Sequence, residues 1–163
     1  SSAELVRAVK PLVTETLVRG AKRSCALRLN DDAFDPDWRL AFSEAADGRE
    51  AAALDYLGNG KALITVFHHE RVTIDEKQNP EELAWSANWR LWHLDLATVR
   101  ARPIDEIGWI AGGYTTVRID GQALVLVAEE DYGATRAYAI SEDGSAELRF
   151  TIPGYSTQLL RVR

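Results

Sequence analysis

The chain has 163 residues, of which 46% are hydrophobic, and it carries a formal net charge of −6 at pH 7. This length and apolar content suit one folded domain, residues 1–163, with a hydrophobic core, and they exclude an intrinsically disordered chain. The acidic balance excludes a basic phosphate-binding surface, so we expect no nucleic-acid partner, and the lack of a run of about 18 apolar residues predicts no membrane span.

The chain repeats a pattern of short strands, and residues 1–24 follow this pattern least regularly. Ser2–Leu5 matches the start of the last predicted strand, which indicates an exposed outer strand, and Leu17–Arg19 then predicts an inner strand of the next sheet. Too few residues follow to complete that sheet, so either a strand has been lost or a segment is missing near residues 20–24. The alternative is one helix over Ala3–Val18, which an internal proline and the β-branched residues disfavour.

Two strands follow. Cys25–Asn30 alternates apolar and polar residues and predicts a half-buried strand, and Asp37–Phe42 predicts a more exposed outer strand. Because Cys25 is the only cysteine, it cannot form an intramolecular disulfide. We expect it to be a buried structural thiol and not a nucleophile.

Two hairpins with matching sequences are the clearest sign of a repeat. The phrase Gly-Lys-Ala-Leu-Ile-Thr-Val at 60–66 recurs 61 positions later, at 121–127, as Gly-Gln-Ala-Leu-Val-Leu-Val. An apolar strand that ends in a tight turn precedes each phrase, at 53–59 and at 116–120. Each copy therefore predicts an inner strand, a turn and a buried second strand.

The first copy carries an insertion after its second strand. Val66 and Leu94 are 28 positions apart, whereas the equivalent Val127 and Ile140 are 13 apart, so the insertion adds 15 residues around His68–Ala87. Loops of this length inside a compact domain are usually functional or disordered.

A third strand with an aromatic residue and a charged outer strand complete each copy. They span 89–96 and 98–103 in the first copy, and 136–140 and 146–153 in the second. Four antiparallel strands per copy, running from buried to exposed, are typical of the blade of a β-propeller. We therefore predict an all-β fold, a partial β-propeller of four-stranded antiparallel blades with two to three blades visible.

Polar residues at the ends of the two second strands are expected to meet at the mouth of the propeller channel. They are His68, His69 and Glu70 in the first copy and Glu129, Glu130 and Asp131 in the second. Imidazole and carboxylate groups together suit iron or zinc, but adjacent residues on an extended chain point to opposite sides, so at most one of the two histidines points inward. The alternative is that these residues are satisfied by hydrogen bonds within the loops, and no particular metal or cofactor is indicated. His93, inside an apolar strand, is predicted to be packed.

Aromatic residues fall in or beside the same loops. Their rings can stack on a catechol or sugar ring, and Arg71 or Arg136 supplies charge for an anionic ligand. The alternative is packing between blades, for which Trp85, inside the insertion, is the least suited. The candidates are Trp85, Trp89, Trp109, Tyr114, Tyr132 and Tyr155.

Four stretches of the chain are similar to one known family. They are Phe34–Trp38, Leu54–Ala62, Asn88–Trp92 and Gly154–Arg163. These stretches resemble the C-terminal half of MxcI-like proteins, secreted or lipid-anchored bacterial β-propellers named after a member of the myxochelin siderophore gene cluster. The similarity extends over residues 25–163, and the first strands depart from the family. The resemblance implies a longer full chain, a periplasmic or cell-surface location and an association with siderophore-mediated iron handling.

Three functions are compatible with these residues. The first is a non-catalytic cell-envelope module that binds a small ligand, such as a ferric siderophore, at the mouth. The second is a propeller hydrolase that uses the mouth carboxylates with His68 or His69, although no Gly-x-Ser-x-Gly, His-Glu-x-x-His or Cys-x-x-Cys motif is present. The third is a protein-interaction scaffold. An incomplete ring exposes apolar strands, so we expect it to be closed by a missing chain segment or by another copy.

Overall fold

The computed structural model describes residues 4–6, 13–14, 17–18, 24–30, 33–75, 77–111 and 113–159. The strands are β1 (Glu4–Val6), β2 (Cys25–Asn30), β3 (Ala33–Ala41), β4 (Ala51–Gly58), β5 (Lys61–Phe67), β6 (Trp89–Asp95), β7 (Arg100–Pro103), β8 (Trp109–Ile110), β9 (Tyr114–Ile119), β10 (Gln122–Ala128), β11 (Ala134–Ile140) and β12 (Ala146–Pro153). The short helices are α1 (Phe42–Ala45), α2 (Pro80–Ala84) and a 3-10 turn (His69–Arg71). Within the described ranges, no helix is long and apolar enough to cross a membrane.

All of these strands pair antiparallel, in three sheets. The first sheet has the order β1-β2-β3, the central sheet β4-β5-β6-β7 with β8 also paired to β6, and the last sheet β9-β10-β11-β12. The two four-stranded meanders predicted from the repeat are confirmed, with strand boundaries within about two residues of those expected for most strands. The predicted all-β class is therefore correct.

The repeated glycine belongs to the same kind of hairpin turn in both meanders. Asn59 and Gly60 have φ values of 51° and 70°, and Asp120 and Gly121 have values of 52° and 82°. A two-residue turn with positive φ at both positions matches the twist of the flanking strands, and Asn-Gly and Asp-Gly are the pairs that adopt it most readily. Local turn chemistry thus sets the register of both hairpins.

The central sheet is buried on both faces, which explains the continuous apolar run of β5. Ala62, Ile64 and Val66 belong to the core shared with the first sheet. Leu63 and Phe67, which point to the opposite face, belong to the core shared with the last sheet. The three sheets are therefore stacked, and the central sheet lies between the other two.

The N-terminal strands differ from the prediction. β1 is not the outer strand of a separate sheet, because Glu4 pairs with Leu29 of β2. Residues 17–18 are helical, so the inner strand predicted at Leu17–Arg19 is wrong at these two positions. The segment suspected to be missing, near residues 20–24, lies outside the described residues except for Ser24.

The insertion between β5 and β6 is packed against the core. Its helix α2 begins after Asn79, whose side-chain Oδ1 accepts a hydrogen bond of 3.0 Å from the Glu81 amide. Leu83 on this helix is 2% exposed, and its carbonyl accepts a 3.0 Å hydrogen bond from Nε1 of Trp89. The insertion thus covers one end of the interface between the central and last sheets.

Candidate functional site

Two loops leave equivalent corners of the central and last sheets, as the repeat predicts. His68 follows β5 and Glu129 follows β10. The two loops play different parts, because His68 is 6% exposed and packed inside the protein, whereas the acidic loop lines an open cavity.

His68 is held in a single tautomer by its neighbours. Nε1 of Trp92 donates a 3.3 Å hydrogen bond to Nε2 of His68. Because an indole N–H can only donate, Nε2 must be the acceptor, and the ring proton therefore sits on Nδ1, which donates to Glu70 Oε1 at 2.8 Å. Burial lowers the pKa of His68, and the hydrogen bond with Glu70 only partly opposes this effect. Both ring nitrogens are thus engaged, as in the alternative predicted for this loop.

Glu70 joins His68 to a cation on the neighbouring loop. Arg49 donates to Glu70 Oε1 from Nε at 3.1 Å and from Nη2 at 3.0 Å. Partial burial raises the pKa of Glu70, but the hydrogen bonds from Arg49, the backbone and His68 together lower it to about 2. Glu70 is therefore an ion-paired carboxylate that fixes the orientation of His68.

Trp109 is the next residue in this series of contacts, after Arg49, Glu70 and His68. Its strand β8 pairs with β6, where it lies opposite Arg90. The His68 ring meets Trp109 edge-on at 4.8 Å between centroids, and the guanidinium carbons of Arg71 and Arg90 lie 3.7 and 5.1 Å from the Trp109 centroid. Arg90 is in turn fixed by a 2.5 Å ion pair with Asp105. The indole is held by these contacts, yet 42% of Trp109 remains exposed.

A cavity of about 760 Å³ lies between Trp109 and the acidic loop. Its volume falls in the range of small-molecule sites. The acidic residues of the lining belong to the loop after β10, and the other residues come from β8, β10, β11 and the loops beside the central sheet. The lining residues are Ala87, Ile107, Trp109, Ala111, Val127, Ala128, Glu129, Glu130, Asp131, Arg136 and Tyr138.

The lining carries more negative than positive charge. Its three carboxylates belong to Glu129, Glu130 and Asp131, and its one guanidinium belongs to Arg136. Arg136 pairs with Glu129 at 2.5 Å, and Asp131 Oδ1 accepts a 2.9 Å hydrogen bond from the Gly133 amide. The cavity therefore offers a negative field beside an aromatic ring.

Five of the residues predicted to contact a ligand line this cavity, namely Trp109, Glu129, Glu130, Asp131 and Arg136. Trp89 requires a correction, because it is 0% exposed and its ring packs 5.0 Å from that of Phe67, so it is a core residue. Tyr114, also outside the lining, donates from its hydroxyl to Asp55 and thereby joins the last sheet to the central one.

The remaining predicted residues are exposed but do not line the cavity. His69 lies in the 3-10 turn, Trp85 follows α2 with 51% of its surface exposed, and Tyr132 packs edge-on against Tyr155 at 5.5 Å. In the part of the chain that the structure describes, no group of three or more His, Cys, Asp or Glu side chains is arranged to hold a metal ion. The proposed meeting of both loops at one mouth is thus only partly reproduced, since Trp109 separates His68 from the cavity.

Sequence reasoning missed the residues that hold Trp109. Arg90 acts from the strand paired with β8, and Arg49 acts through Glu70, although neither residue is near Trp109 in the sequence. A charged residue in an apolar strand, as Arg90 is in β6, is the one local signal that indicates such a role.

Comparison with known proteins adds nothing to this geometry. The chain matches no known family and no curated protein.

Proposed function

We propose that this chain is a non-catalytic binding module of β-propeller type that takes a small ligand in the Trp109 cavity. The stacking of two four-stranded meanders through an apolar core supports the propeller reading, since neighbouring blades pack in this way. A cell-envelope location and completion of the ring by further blades remain proposals that rest on the resemblance.

The observation that carries the binding proposal is the placement of Trp109. Its ring is fixed by His68, Arg71 and Arg90, and the same residue forms a wall of a cavity that also holds three carboxylates. A rigid aromatic wall beside three carboxylates suits a small organic cation, because the carboxylates attract its positive group and the exposed part of the indole packs against its carbon atoms. We therefore assign the ligand to the class of small organic cations.

A role in siderophore or iron handling is a separate proposal, supported by the resemblance. Ferric catecholate complexes are anions, and the acidic lining repels anions. If the module acts in iron handling, we expect it to bind a cationic, iron-free species in this cavity in preference to a ferric catecholate.

Calorimetry on the whole chain tests the ligand class. We would titrate choline and putrescine as cations, 2,3-dihydroxybenzoate as an iron-free catecholate, and its ferric complex. We expect heat with at least one cation, with affinity about tenfold weaker in Glu130→Gln, because the variant removes one lining charge. Glu147→Gln, in an exposed ion pair on β12, serves as the control. Binding of the ferric complex alone would transfer support to the siderophore proposal and reject the cation class.

A second candidate function is protein binding through β12. This edge strand of the last sheet exposes 50% of Leu148 and 42% of Phe150. Exposed apolar residues on an edge strand favour pairing with another chain, which includes a second copy. Light scattering that shows a dimer, lost in Phe150→Lys, would support this function, whereas a monomer at all concentrations would reject the second-copy form of it.

The hydrolase alternative depends on the same acids as the cavity. Glu129 is already paired with Arg136, which leaves Glu130 as the lining carboxylate with no hydrogen bond among the described residues. A general acid or base works best when its pKa lies near the operating pH and when it is within hydrogen-bond reach of the substrate atom that exchanges the proton. Turnover of any chromogenic ester or glycoside that is lost in Glu130→Gln would favour this alternative over simple binding.

A further inference from the structure

A second polar site lies at the other end of the interface between the central and last sheets. Two adjoining cavities of about 220 and 400 Å³ open there, and both are lined by Lys61, His93 and Glu142. We call this region the His93 groove. The His93 groove is separate from the Trp109 cavity. The first residues of β10, Gln122 and Ala123, line the groove, whereas the last residues, Val127 and Ala128, line the cavity.

Strand register places a row of cations on one wall of the His93 groove. His93 pairs with Leu63 on one side and with Arg102 on the other, and Asp95 pairs with Lys61 and Arg100. Paired and alternate residues share a face of a sheet, and Leu63 points toward the last sheet. This wall therefore presents Lys61, His93, Asp95, Arg100 and Arg102 toward the β11–β12 turn.

The opposite wall is the β11–β12 turn, which carries Glu142 and Asp143. Gly144 of this turn sits directly on the His93 ring, since a Cβ atom at Gly144 would lie 2.5 Å from His93 Cγ. The turn is also tied to the first hairpin of the central sheet, where Asn59 Nδ2 donates to Glu142 Oε1 at 2.7 Å. These contacts fix the position of the acidic wall relative to the basic wall.

The carboxylates and guanidiniums of the groove differ in their bonding. Asp95 accepts from Lys61 Nζ at 2.5 Å, and Asp143 accepts from the amide and hydroxyl of Ser145 at 3.1 and 2.7 Å. By contrast, the side chains of Arg100 and Arg102 make no ion pair or hydrogen bond within the described ranges. The Ser145 hydrogen bonds lower the pKa of Asp143, and Arg102 adds to this effect through space. Arg102 and Asp143 thus face each other across the groove without forming an ion pair.

His93 forms the floor between the two walls. It is 5% exposed, and its Nε2 has no hydrogen-bond partner. Burial is the main cause that lowers the pKa of His93, so the ring is neutral at neutral pH. An unpaired buried polar atom is rare in folded proteins, and a functional role or a bound species that completes it is among the explanations for one.

We propose that the His93 groove binds a small zwitterion, whose carboxylate pairs with Arg102 and Arg100 and whose ammonium group pairs with Asp143 and Glu142. Guanidinium groups match the planar geometry of a carboxylate, and an ammonium group is a compact donor that suits the oxygens of the acidic wall. A molecule with a single charge can form ion pairs with only one of the two walls. The volume of the larger cavity, about 400 Å³, accommodates an amino acid or a short peptide with free termini.

NMR titration of the whole chain, with the His93 ring signals as the readout, tests this inference. The probes are glycine, β-alanine and γ-aminobutyrate, which hold the two charges at increasing separation, together with butyrate and butylamine as singly charged controls. We expect at least one zwitterion to bind about tenfold more tightly than either control, because it forms both sets of ion pairs. Equal binding of butyrate, or no shift of His93 with any zwitterion up to about 20 mM, would overturn the proposal.

Two variants test the basic wall and the acidic wall separately. Arg102→Gln removes one cation, and Asp143→Asn removes one negative charge while keeping an acceptor for Ser145. Each variant is expected to bind the zwitterion about tenfold more weakly than the parent chain does. Arg149→Gln, an exposed arginine on β12 outside the groove, is the matched control and should leave binding unchanged. An equal loss in the control variant, or no loss in either groove variant, counts against the assignment.

Discussion

The Trp92 indole and the His68 imidazole are joined by a 3.3 Å hydrogen bond that fixes His68 in its neutral, Nδ1-protonated form. Trp92 belongs to the core between the first and central sheets, and His68 touches Trp109 at the cavity. One histidine therefore connects the packing of a core to the wall of the candidate binding site.

The burial of His68 predicts a decrease in stability below neutral pH. The pKa of His68 is lowered from its ordinary value of 6.5, so below 6.5 the unfolded state binds more protons than the folded state. The free energy of unfolding should decrease as the pH falls from 6.5 toward the lowered pKa and then level off. Urea denaturation across this range should give a flatter dependence in His68→Gln, with the remaining slope due to His93, whose pKa is also lowered by burial. If the free energy of unfolding of His68→Gln depended on pH as steeply as that of the parent chain, the lowered pKa of His68 would be refuted.

Removal of the indole donor should raise the pKa of His68. In Trp92→Phe, Nε2 no longer faces an N–H group, so protonation there becomes easier, and the unpaired buried nitrogen costs about 1–3 kcal/mol of stability. An NMR pH titration of the His68 ring measures the first effect, and chemical denaturation measures the second. Trp85→Phe, at a position that is 51% exposed, should change stability by no more than about 0.5 kcal/mol.

The stabilisation that Glu70 provides should be lost at acidic pH. Its pKa of about 2 lies below the ordinary value of 4.5, so its contribution to stability is complete above 4.5 and decreases as the pH falls toward about 2. The effect is reduced by solvent screening, because 44% of the Glu70 side chain is exposed. Unfolding measured over this range should be less pH-dependent in Glu70→Gln than in the parent chain, and Glu147→Gln should behave like the parent.

The strands were predictable because their signals are local. The Asn-Gly and Asp-Gly turns and the apolar run of β5 each follow from residues a few positions apart, and the structure has them as expected. β12 also forms where it was predicted, although its apolar residues Leu148 and Phe150 are exposed. The pairing of β1 with β2 was not predictable in this way, since it depends on contacts between residues about 25 positions apart. The same limit applied to Trp89, whose burial is decided by α2 and by Phe67.

The candidate site was predictable only on its acidic side. The repeat located Glu129, Glu130 and Asp131 at the end of β10, and these residues do line the cavity. The role of His68 was not apparent, because its partner Trp92 lies 24 positions away and the adjacent His69 has the same chemistry. Tertiary contacts, and not residue type, determine which of the two histidines is buried.

Gly144 should not tolerate a side chain. It has a φ of 80°, and a Cβ atom there would lie within 2.7 Å of three atoms of His93. Gly144→Ala should therefore lower stability by about 1–3 kcal/mol and shift the His93 ring signals, because the turn must move away from the imidazole. Gly113→Ala is the control, since no atom lies within 4 Å of its added Cβ, and it should leave both measurements nearly unchanged.

Calorimetric titration of an organic cation into the parent chain, Trp109→Ala and Trp85→Ala shows whether Trp109 forms the wall of a ligand site. Both tryptophans are exposed and belong to the same end of the sheets, but only Trp109 lines the cavity. We predict binding of choline or putrescine that is lost in Trp109→Ala and retained in Trp85→Ala. No heat with the parent chain, or an equal affinity in the Trp109 variant, would contradict the assignment of this cavity as the ligand site.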